Sequence, residues 1–246
     1  LEGFVDVFDP DAPKYAAQIE GYNPLEQRHL LVVQLIFNTS GARVRESMSY
    51  DLPLLWPTEY ARLVGRFLAA PREDRLRYLR RVGTRYVILP GPPVPGLQPM
   101  AVLETVEQMK LFDYYPAAKR VLVVPDALLG QDFTWEMEGL FQPRFDETKG
   151  VLVSTPPPPP AGVPGLPVSP SATFLEDGLN RVVVRATTPN DGFLSLWDSY
   201  NPDWHVDVDG HPAPLMRVNA VFRGVHLVTG DHIVTFTYHP ARLYLG

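Results

Sequence analysis

The chain contains no cysteine among its 246 residues. Disulfide bonds and thiolate catalysis are therefore excluded, and the absence is compatible with an oxidising compartment but does not prove one. Long apolar runs are missing as well. The longest, Leu30–Phe37, is broken by Gln34, whereas a helix needs about 20 apolar residues to cross a bilayer. We therefore expect the chain to be soluble as given. Because it begins without an initiator methionine or a signal peptide, we interpret it as a piece of a longer protein.

Catalytic motifs are missing too. The sequence has no Gly-x-Ser-x-Gly, no His-Glu-x-x-His, no phosphate-binding Gly-Lys-Ser/Thr loop and no Gly-x-Gly-x-x-Gly. Acidic pairs such as Glu136 with Glu138, or Asp207 with Asp209, have the residue types of glycosidase carboxylates, which lie about 5 to 9.5 Å apart. Most pairs of this kind are only exposed charges. We assign no catalytic residue and expect no cofactor.

Positive charge is scarce. Lysine and arginine number 22 against 28 acidic residues, which gives a net charge of −6 at pH 7. Nucleic-acid binding needs a concentrated basic surface, and the only basic run is Arg72–Arg85. Because Glu73, Asp74 and Leu76 are interleaved with it, we interpret this run as the solvent-facing side of a helix. No nucleic-acid partner is expected.

Proline, by contrast, is abundant, with 27 residues against 18 glycines, about twice the usual proline share. The excess gathers at 154–171, which contains five successive prolines at Pro156–Pro160. Such a run adopts an extended left-handed helix without internal hydrogen bonds and acts as a semi-rigid spacer. We therefore predict a first domain at 1–153, a proline-rich linker at 154–171 and a second domain at 172–246.

The first domain is predicted to be mixed α/β. Each of two helices, at 57–70 and 71–82, has a proline near its start, and Gly83 is placed to end the second. The segment 85–89 follows as a β-branched and aromatic strand, and a helix followed closely by a strand forms an α/β unit. The remaining predicted elements are a helix that begins near Asn23 and strands at 4–8, 100–103, 119–124 and 151–153.

The second domain is predicted to be an antiparallel β-sandwich of jelly-roll type. Residues 204–209 alternate strictly between apolar and polar, which is the period of a half-buried strand. Asp209 and Gly210 tolerate the positive φ angles of a type I′ turn. Further strands at 172–176, 181–187 and 233–238 are too apolar to form one open sheet. The fold class of the whole chain is therefore predicted to be α+β.

Two metal-ligand residue types share one face of this hairpin. His205, Asp207, Asp209 and His211 alternate along the chain and suggest a zinc or calcium site. Same-face neighbours on a strand are about 6.6 Å apart, whereas metal ligands lie within about 2.0 to 2.6 Å of the ion. We interpret the row as a solvent face with Asp209 held by the turn. No metal is assigned, and His205 and Asp207 are kept as weak candidates.

Aromatic residues in the same region provide a second candidate site. Sugars stack on indole and phenol rings, and nearby amides and charged groups can bind their hydroxyls. We predict that a ligand would contact five residues: Tyr200, Asn201, Trp204, Asn219 and Arg223. For Trp197 and Trp204 we favour a role as large side chains of the sandwich core over ligand contact, because one aromatic buries about 150 to 250 Å². Tyr22 is interpreted as a packed aromatic.

The C-terminal region also carries a family pattern. It consists of aromatic-Asp-x-Tyr-x-Pro-x-Trp at 197–204, Val-Asp-Gly at 208–210, Arg-x-Asn-x-x-Phe-Arg-Gly-Val at 217–225 and Gly-Asp-His-x-Val-x-Phe-x-Tyr-x-Pro at 230–240. These motifs resemble the C-terminal extracytoplasmic region of YfhO-type bacterial membrane proteins over Leu194–Pro240. Segments 21–25, 81–89 and 115–124 add weaker support. Asp203 departs from the family pattern, which usually has glycine before the tryptophan.

The resemblance implies a polytopic parent related to GT-C glycosyltransferases, which use lipid-linked sugars. This chain would then lie on the extracytoplasmic face of the bacterial membrane, with membrane helices outside both of its ends. It would position a cell-envelope glycan acceptor, a lipid-linked sugar or a partner, without catalysing transfer by itself. Two alternatives stay open: a stand-alone carbohydrate-binding or protein-interaction module, and a secreted glycoside hydrolase. The hydrolase requires two carboxylates facing each other in a cleft, one with a raised pKa.

Overall fold

The computed structural model describes residues 58–84, 86–90, 98–102, 109–113, 119–159 and 165–239. The strand predicted at 4–8, Tyr22 and the helix predicted after Asn23 lie outside these ranges. The chain divides into two compact units, Leu1–Ala118 and Lys119–Gly246. Within the described ranges, no helix is both long enough and apolar enough to span a bilayer.

The first unit contains both helices predicted from the prolines. Helix α1 spans Thr58–Ala69 and helix α2 spans Arg72–Arg81. Gly83 has a φ angle of 77°, and the N–H of Thr84 donates to the carbonyl of Leu79 at 2.9 Å. This left-handed glycine ends α2 as predicted, because only glycine adopts such a conformation without steric cost.

One antiparallel sheet follows the helices in this unit. Its strands are β1 at Tyr86–Pro90, β2 at Gln98–Val102 and β3 at Met109–Asp113, in the order β1-β3-β2. The first two were predicted within a few residues, whereas β3 was not predicted. The helices pack on each other through Phe67 and Tyr78, whose ring centroids are 5.4 Å apart in an edge-on arrangement.

The second unit is mostly antiparallel β-structure with one helix among its described residues. Its elements are β4 (Val121–Val124), β5 (Asp126–Leu129), α3 (Phe133–Phe141), β6 (Gly150–Val153), β7 (Ser171–Asp177), β8 (Arg181–Thr188), β9 (Gly192–Ser199), β10 (Trp204–Val208), β11 (His211–Ala213), β12 (Met216–Val218), β13 (Phe222–Leu227) and β14 (Gly230–Tyr238).

Two antiparallel sheets share the main core of this unit. Sheet one has the strand order β11-β10-β14-β8-β7, and sheet two has the order β12-β13-β9-β4. One buried cluster draws side chains from both sheets, so their inner faces pack against each other. Its members are Val121, Val123, Val182, Val184, Ala186, Leu194, Leu196, Val206, Val225, Leu227, Val234 and Phe236.

Sheet two is covered on its outer side as well. Residues 192–197 of β9 are all buried, the inward-facing Leu194 and Leu196 and their outward-facing neighbours alike. The parallel pair β5–β6 contacts β9, and Leu152 of β6 lies against Gly139 of α3. We call β5, β6 and α3 the covering layer. The layer explains why residues 192–197 of β9 are buried on both faces instead of alternating between buried and exposed.

The unit boundary therefore differs from the boundary predicted from proline content. Strand β4 was assigned to the first domain, but it pairs with β9 in sheet two. The proline-rich segment has both flanks in the second unit: Arg217 donates to the Ser154 hydroxyl at 3.3 Å, and the N–H of Leu166 donates to the carbonyl of Pro189 at 2.6 Å. Proline content located a segment whose described residues form neither helix nor strand, but such a segment can connect two parts of one body.

The predicted hairpin around Asp209 is confirmed. Strand β10 places Val206 in the core and His205 in solvent, as the alternation requires. Asp209 and Gly210 have φ angles of 54° and 78°, the left-handed values of a type I′ turn. Strand β14 pairs with β10 on one side and with β8 on the other.

Candidate ligand site and ionic network

One end of the second unit gathers most of the predicted site residues. The pairings of Val121 with Leu196, Trp204 with Tyr238 and Arg181 with Thr237 place the corresponding strand ends side by side. We call this the connection end. It comprises Arg120, the β7–β8 turn at 177–181, the segment 199–204 and residues 238–239.

Trp204 and Arg223 meet at this end. The Arg223 guanidinium carbon lies 3.8 Å from the centroid of the Trp204 ring, which is a cation–π contact. Its Nη2 also donates to Asp198 Oδ2 at 2.9 Å, and the side chain is only 2% exposed. The structure thus brings two predicted site residues together, but Arg223 binds within the protein and is shielded from solvent.

A second arginine extends the ionic network to sheet one. Arg120 donates two hydrogen bonds to Asp177, at 3.0 and 2.6 Å, and its Nε lies 3.4 Å from Asp198 Oδ1. Its guanidinium also lies over the Phe174 ring, 4.2 Å from the centroid. Asp177 and Phe174 belong to β7, whereas Asp198 belongs to β9. The network therefore links the two sheets at the connection end.

Tyr200 and Asn201 form the turn between β9 and β10. The Asn201 side-chain oxygen accepts a hydrogen bond from the N–H of Asp203 at 2.8 Å, and its carbonyl accepts one from the N–H of Trp204 at 3.0 Å. This side-chain turn explains why asparagine is suited to the position. The Tyr200 N–H donates to the Val221 carbonyl, and the residue is half-buried.

The aromatic rings here have unequal exposure. Trp197 is 5% exposed and packs edge-on against Phe222, with ring centroids 4.9 Å apart, so its predicted core role is confirmed. Trp204 is half-buried beside the core and lies 5.2 Å from Tyr238. The sequence analysis did not select Tyr238. The sequence signal that could have found Tyr238 is the alternation of β14, which aligns this residue with Trp204. Tyr200, Trp204 and Tyr238 are the partly accessible rings of this end.

Asn219 lies in the turn between β12 and β13, whose Val221 carbonyl accepts the hydrogen bond from the Tyr200 N–H. It is 1% exposed, its side-chain oxygen accepts a hydrogen bond from the N–H of Leu152 at 2.8 Å, and its amide nitrogen lies 3.3 Å from Ser195 Oγ. Its φ angle of 51° is followed by 69° at Ala220. The structure therefore brings this predicted ligand residue beside the connection end, but its side chain is buried and joins the covering layer to sheet two.

A buried carboxylate lies beside this turn. Glu136 of α3 is fully buried, and its Oε2 accepts a hydrogen bond from the Ala220 N–H at 2.8 Å. Its Oε1 lies 3.7 Å from Arg217 Nη2. Burial raises the pKa of Glu136, and hydrogen bonds from the Ser154 hydroxyl and from Ala220 oppose the rise. A carboxyl with this environment is a candidate functional group, but its hydrogen bonds are made with Ala220 and Ser154 of the same unit.

Of the two metal candidates, His205 has one other possible ligand nearby. His205 is exposed on sheet one, and its ring centroid lies 5.9 Å from that of His239. Asp207 is half-buried two residues along β10, with Thr235 opposite it on β14. Among the residues that the structure describes, no group of three or more histidines or acidic residues is arranged to hold a metal ion.

Asp209 is held by its turn, as predicted, and by a histidine that the sequence analysis did not select. Its Oδ1 accepts a hydrogen bond from the Ile233 N–H at 2.8 Å, and its Oδ2 lies 2.8 Å from His232 Nδ1. The other His232 nitrogen lies 3.0 Å from the Val228 carbonyl. The hydrogen bonds from His232 and Ile233 lower the pKa of Asp209.

Comparison with known families identifies the C-terminal region. Residues 176–246 match the model of a family described as bacterial membrane protein YfhO. The match covers the strands from β8 to β14, and the resemblance found in the sequence is confirmed over that range. No curated protein and no solved structure matches the chain.

Proposed function

We propose, from the YfhO-like character of residues 176–246, that this chain is an extracytoplasmic part of a bacterial membrane protein related to the GT-C glycosyltransferases. Its second unit would be a β-sandwich module that holds or orients a cell-envelope glycan acceptor, a lipid-linked sugar or a partner. The family match is the observation that carries the proposal, because it connects the two-sheet body to a membrane protein. Transfer of the sugar would take place in the membrane part of the parent.

The arrangement of charges supports a positioning role. The arginines at the connection end bind carboxylates of the same unit, Arg120 with Asp177 and Arg223 with Asp198. The buried carboxyl of Glu136 accepts a hydrogen bond from backbone. These groups hold elements together, whereas a general acid or base must reach the proton that it transfers.

The ligand contact that we propose is an aromatic surface. Tyr200, Trp204 and Tyr238 are partly accessible at one end, and aromatic rings offer a polar edge or hydroxyl beside an apolar face. Asn201 shapes the turn that carries Tyr200. Loops at the end of a rigid sheet scaffold are common positions for binding residues. Arg223 supports this surface by stacking on Trp204.

Glycan binding tests the ligand contact. The full chain would be applied to an array of bacterial cell-envelope glycans, beside Tyr200→Ala and the matched control Trp135→Ala. Trp135 is 38% exposed on α3, in the covering layer. We expect Tyr200→Ala to weaken binding at least tenfold and Trp135→Ala to leave it unchanged. Equal binding by all three proteins would remove Tyr200 from the site, and absence of binding to every glycan would favour a protein partner.

Thiol labelling tests the proposed location. The chain has no cysteine, so a Val228→Cys substitution introduces a single thiol at an exposed position. In the membrane-bound parent, we expect a membrane-impermeant maleimide to label this residue in intact cells. Labelling that requires permeabilised cells would place the unit on the cytoplasmic side and contradict the proposal.

A further inference from the structure

The arginines around the connection end are neutralised by carboxylates of the same unit. The ion pairs are Arg120 with Asp177, Arg223 with Asp198 and Arg181 with Glu176. Because each guanidinium faces a carboxylate, its charge is compensated and attracts a further anion only weakly. Lys119, which precedes Arg120 in the chain, is exposed. The three arginines therefore offer little binding energy to a phosphate or carboxylate group of a ligand.

Asp203 is a carboxylate of this end that the ionic network does not use. It lies between β9 and β10, directly before Trp204, and is half-buried. Its N–H donates to the Asn201 side chain at 2.8 Å, and its carbonyl accepts a hydrogen bond from the His239 N–H at 2.9 Å. Within the part of the chain that the structure describes, no hydrogen bond or ion pair joins its carboxylate to another residue. The backbone of Asp203 is thus fixed, and its two carboxylate oxygens are available as acceptors.

A carboxylate beside aromatic rings is suited to bind an uncharged sugar. A sugar ring stacks through its C–H face on an aromatic ring, while its hydroxyls need acceptors. An ionised carboxylate has two oxygens that only accept, and hydrogen bonds to an ionised acceptor are stronger than those between neutral groups. A ligand with a phosphate or carboxylate of its own would be repelled, since like charges placed together at an interface cost several kcal/mol.

We propose that the aromatic surface binds uncharged glycans, and that Asp203 accepts hydrogen bonds from their hydroxyls and disfavours anionic glycans. The inference rests on the proposed function, because it requires a glycan to be bound at this surface. Tyr200 and Trp204 lie on either side of Asp203 along the chain, and the Tyr238 ring lies 5.2 Å from that of Trp204. The rings and the carboxylate therefore belong to one end of the unit. A lipid-linked sugar would be contacted through its sugar and not through its phosphate.

The test is an array that carries oligomers of glucose, galactose and mannose, each beside the oligomer of the corresponding uronic acid. The members of each pair differ by one carboxylate on every sugar ring. The full chain is compared with Asp203→Ala, with Asp203→Asn and with the matched control Asp126→Asn. Asp126 is exposed at the first position of β5, in the covering layer, so this control removes a carboxylate at a different place.

We expect the wild type to bind at least one hexose oligomer at least tenfold more tightly than its uronic acid partner. Asp203→Ala should weaken hexose binding about tenfold, because a hydrogen bond to a charged group contributes about 1.5 to 3 kcal/mol. Asp203→Asn keeps an acceptor without the charge, so it should lose less and should reduce the preference for the uncharged oligomer. Asp126→Asn should bind like the wild type.

Equal or tighter binding of the uronic acid oligomers, or unchanged hexose binding by Asp203→Ala, would overturn the inference. A preference for uronic acids that disappears in Lys119→Ala would overturn it too, and would assign the contact to that lysine. If glycan binding in these cases is still weakened by Tyr200→Ala, the proposed ligand surface stands and only the inference about charge fails. Binding to no glycan, or binding that Tyr200→Ala leaves unchanged, would overturn both.

Discussion

Glu136 illustrates how this protein uses a charged residue away from solvent. Its carboxylate accepts a hydrogen bond from the N–H of Ala220, which follows Asn219 in a turn where both residues have left-handed φ angles. Asparagine tolerates that conformation, whereas Ala220 is strained in it. The carboxylate thus holds a turn that the local sequence does not favour. Burial of the ionised group is the cost, and it raises the pKa.

Two substitutions of Glu136 distinguish the loss of its hydrogen-bond acceptor from the loss of its charge. Glu136→Ala leaves the Ala220 N–H without its acceptor, and an unsatisfied buried group costs about 1 to 3 kcal/mol. Glu136→Gln keeps an acceptor and removes the buried charge. We therefore expect Glu136→Ala to lower the free energy of unfolding in urea at pH 7 by that amount, and Glu136→Gln to lower it by less or to raise it. Equal losses in the two variants would contradict this account.

The folding stability contributed by Asp209 depends on pH in the opposite direction to that contributed by Glu136. Its pKa lies below the ordinary value of 3.8 in the folded protein, so its ionised form stabilises the fold above that value. The contribution is lost as the pH falls through the lowered folded pKa. Glu136 behaves in the reverse manner: its raised pKa means that the folded state gains stability as the pH falls towards 4.5.

The Asp209→Asn substitution tests the direction of this pH dependence. Asparagine tolerates the left-handed turn and can still accept the Ile233 hydrogen bond, but it does not ionise. We expect the free energy of unfolding of the variant to fall less steeply than that of the wild type below about pH 4. The measurement is a series of urea titrations run at pH values from about 3 to about 6. A steeper fall in the variant would show that the sign is wrong.

At the scale of elements, hairpins were more predictable than pairings between distant strands. The alternation of 204–209 and the Asp209–Gly210 turn predicted β10 and its reversal because both signals are local. The run Phe193–Trp197, apolar except for Ser195, has a signal as well, since a predominantly apolar strand is typical of burial on both faces. No local signal shows that the cover is supplied by β5, β6 and α3.

Helix α3 was missed although its sequence has helical features. The Asp132 side chain caps it by accepting a hydrogen bond from the Trp135 N–H at 2.8 Å. Met137, Leu140 and Phe141 then fall at helical spacing and are buried. Near the candidate site, local sequence predicted the loop at Asn201, which carries Tyr200 and leads into Trp204 at the start of β10. The burial of the Asn219 side chain depends on tertiary packing against Leu152.

Arg120 tests the link between the sheets. Arg120→Ala removes two hydrogen bonds to Asp177 and the contact with Phe174. Allowing for partial solvent screening, we expect a loss of about 1 to 2 kcal/mol in the free energy of unfolding. Arg120→Lys should recover less than half of it, because an ammonium lacks the planar fork that binds a carboxylate at two points.

The matched control for this pair is Arg185→Ala, which removes an exposed arginine from the outer face of β8. We expect its free energy of unfolding to stay within about 0.5 kcal/mol of the wild type. Urea unfolding of the three variants at one pH gives the comparison. A control loss as large as that of Arg120→Ala would mean that the ionic network does not join the sheets.

At the scale of the whole molecule, the second unit is larger than the segment that matches the family model. The match begins at residue 176, whereas the second unit begins at Lys119. The additional residues supply β4 and the covering layer. Without them, Phe193, Trp197 and Phe222 on sheet two would lose the structure that keeps each of them below a tenth exposed.

The most direct test of this organisation is the unfolding of two truncated chains, 119–246 and 172–246, in urea. We predict that 119–246 unfolds in one cooperative transition with a midpoint close to that of the second unit in the full chain. The chain 172–246 should show no cooperative transition, because sheet two lacks both its edge strand and its cover. A cooperative transition of equal midpoint in 172–246 would contradict the account.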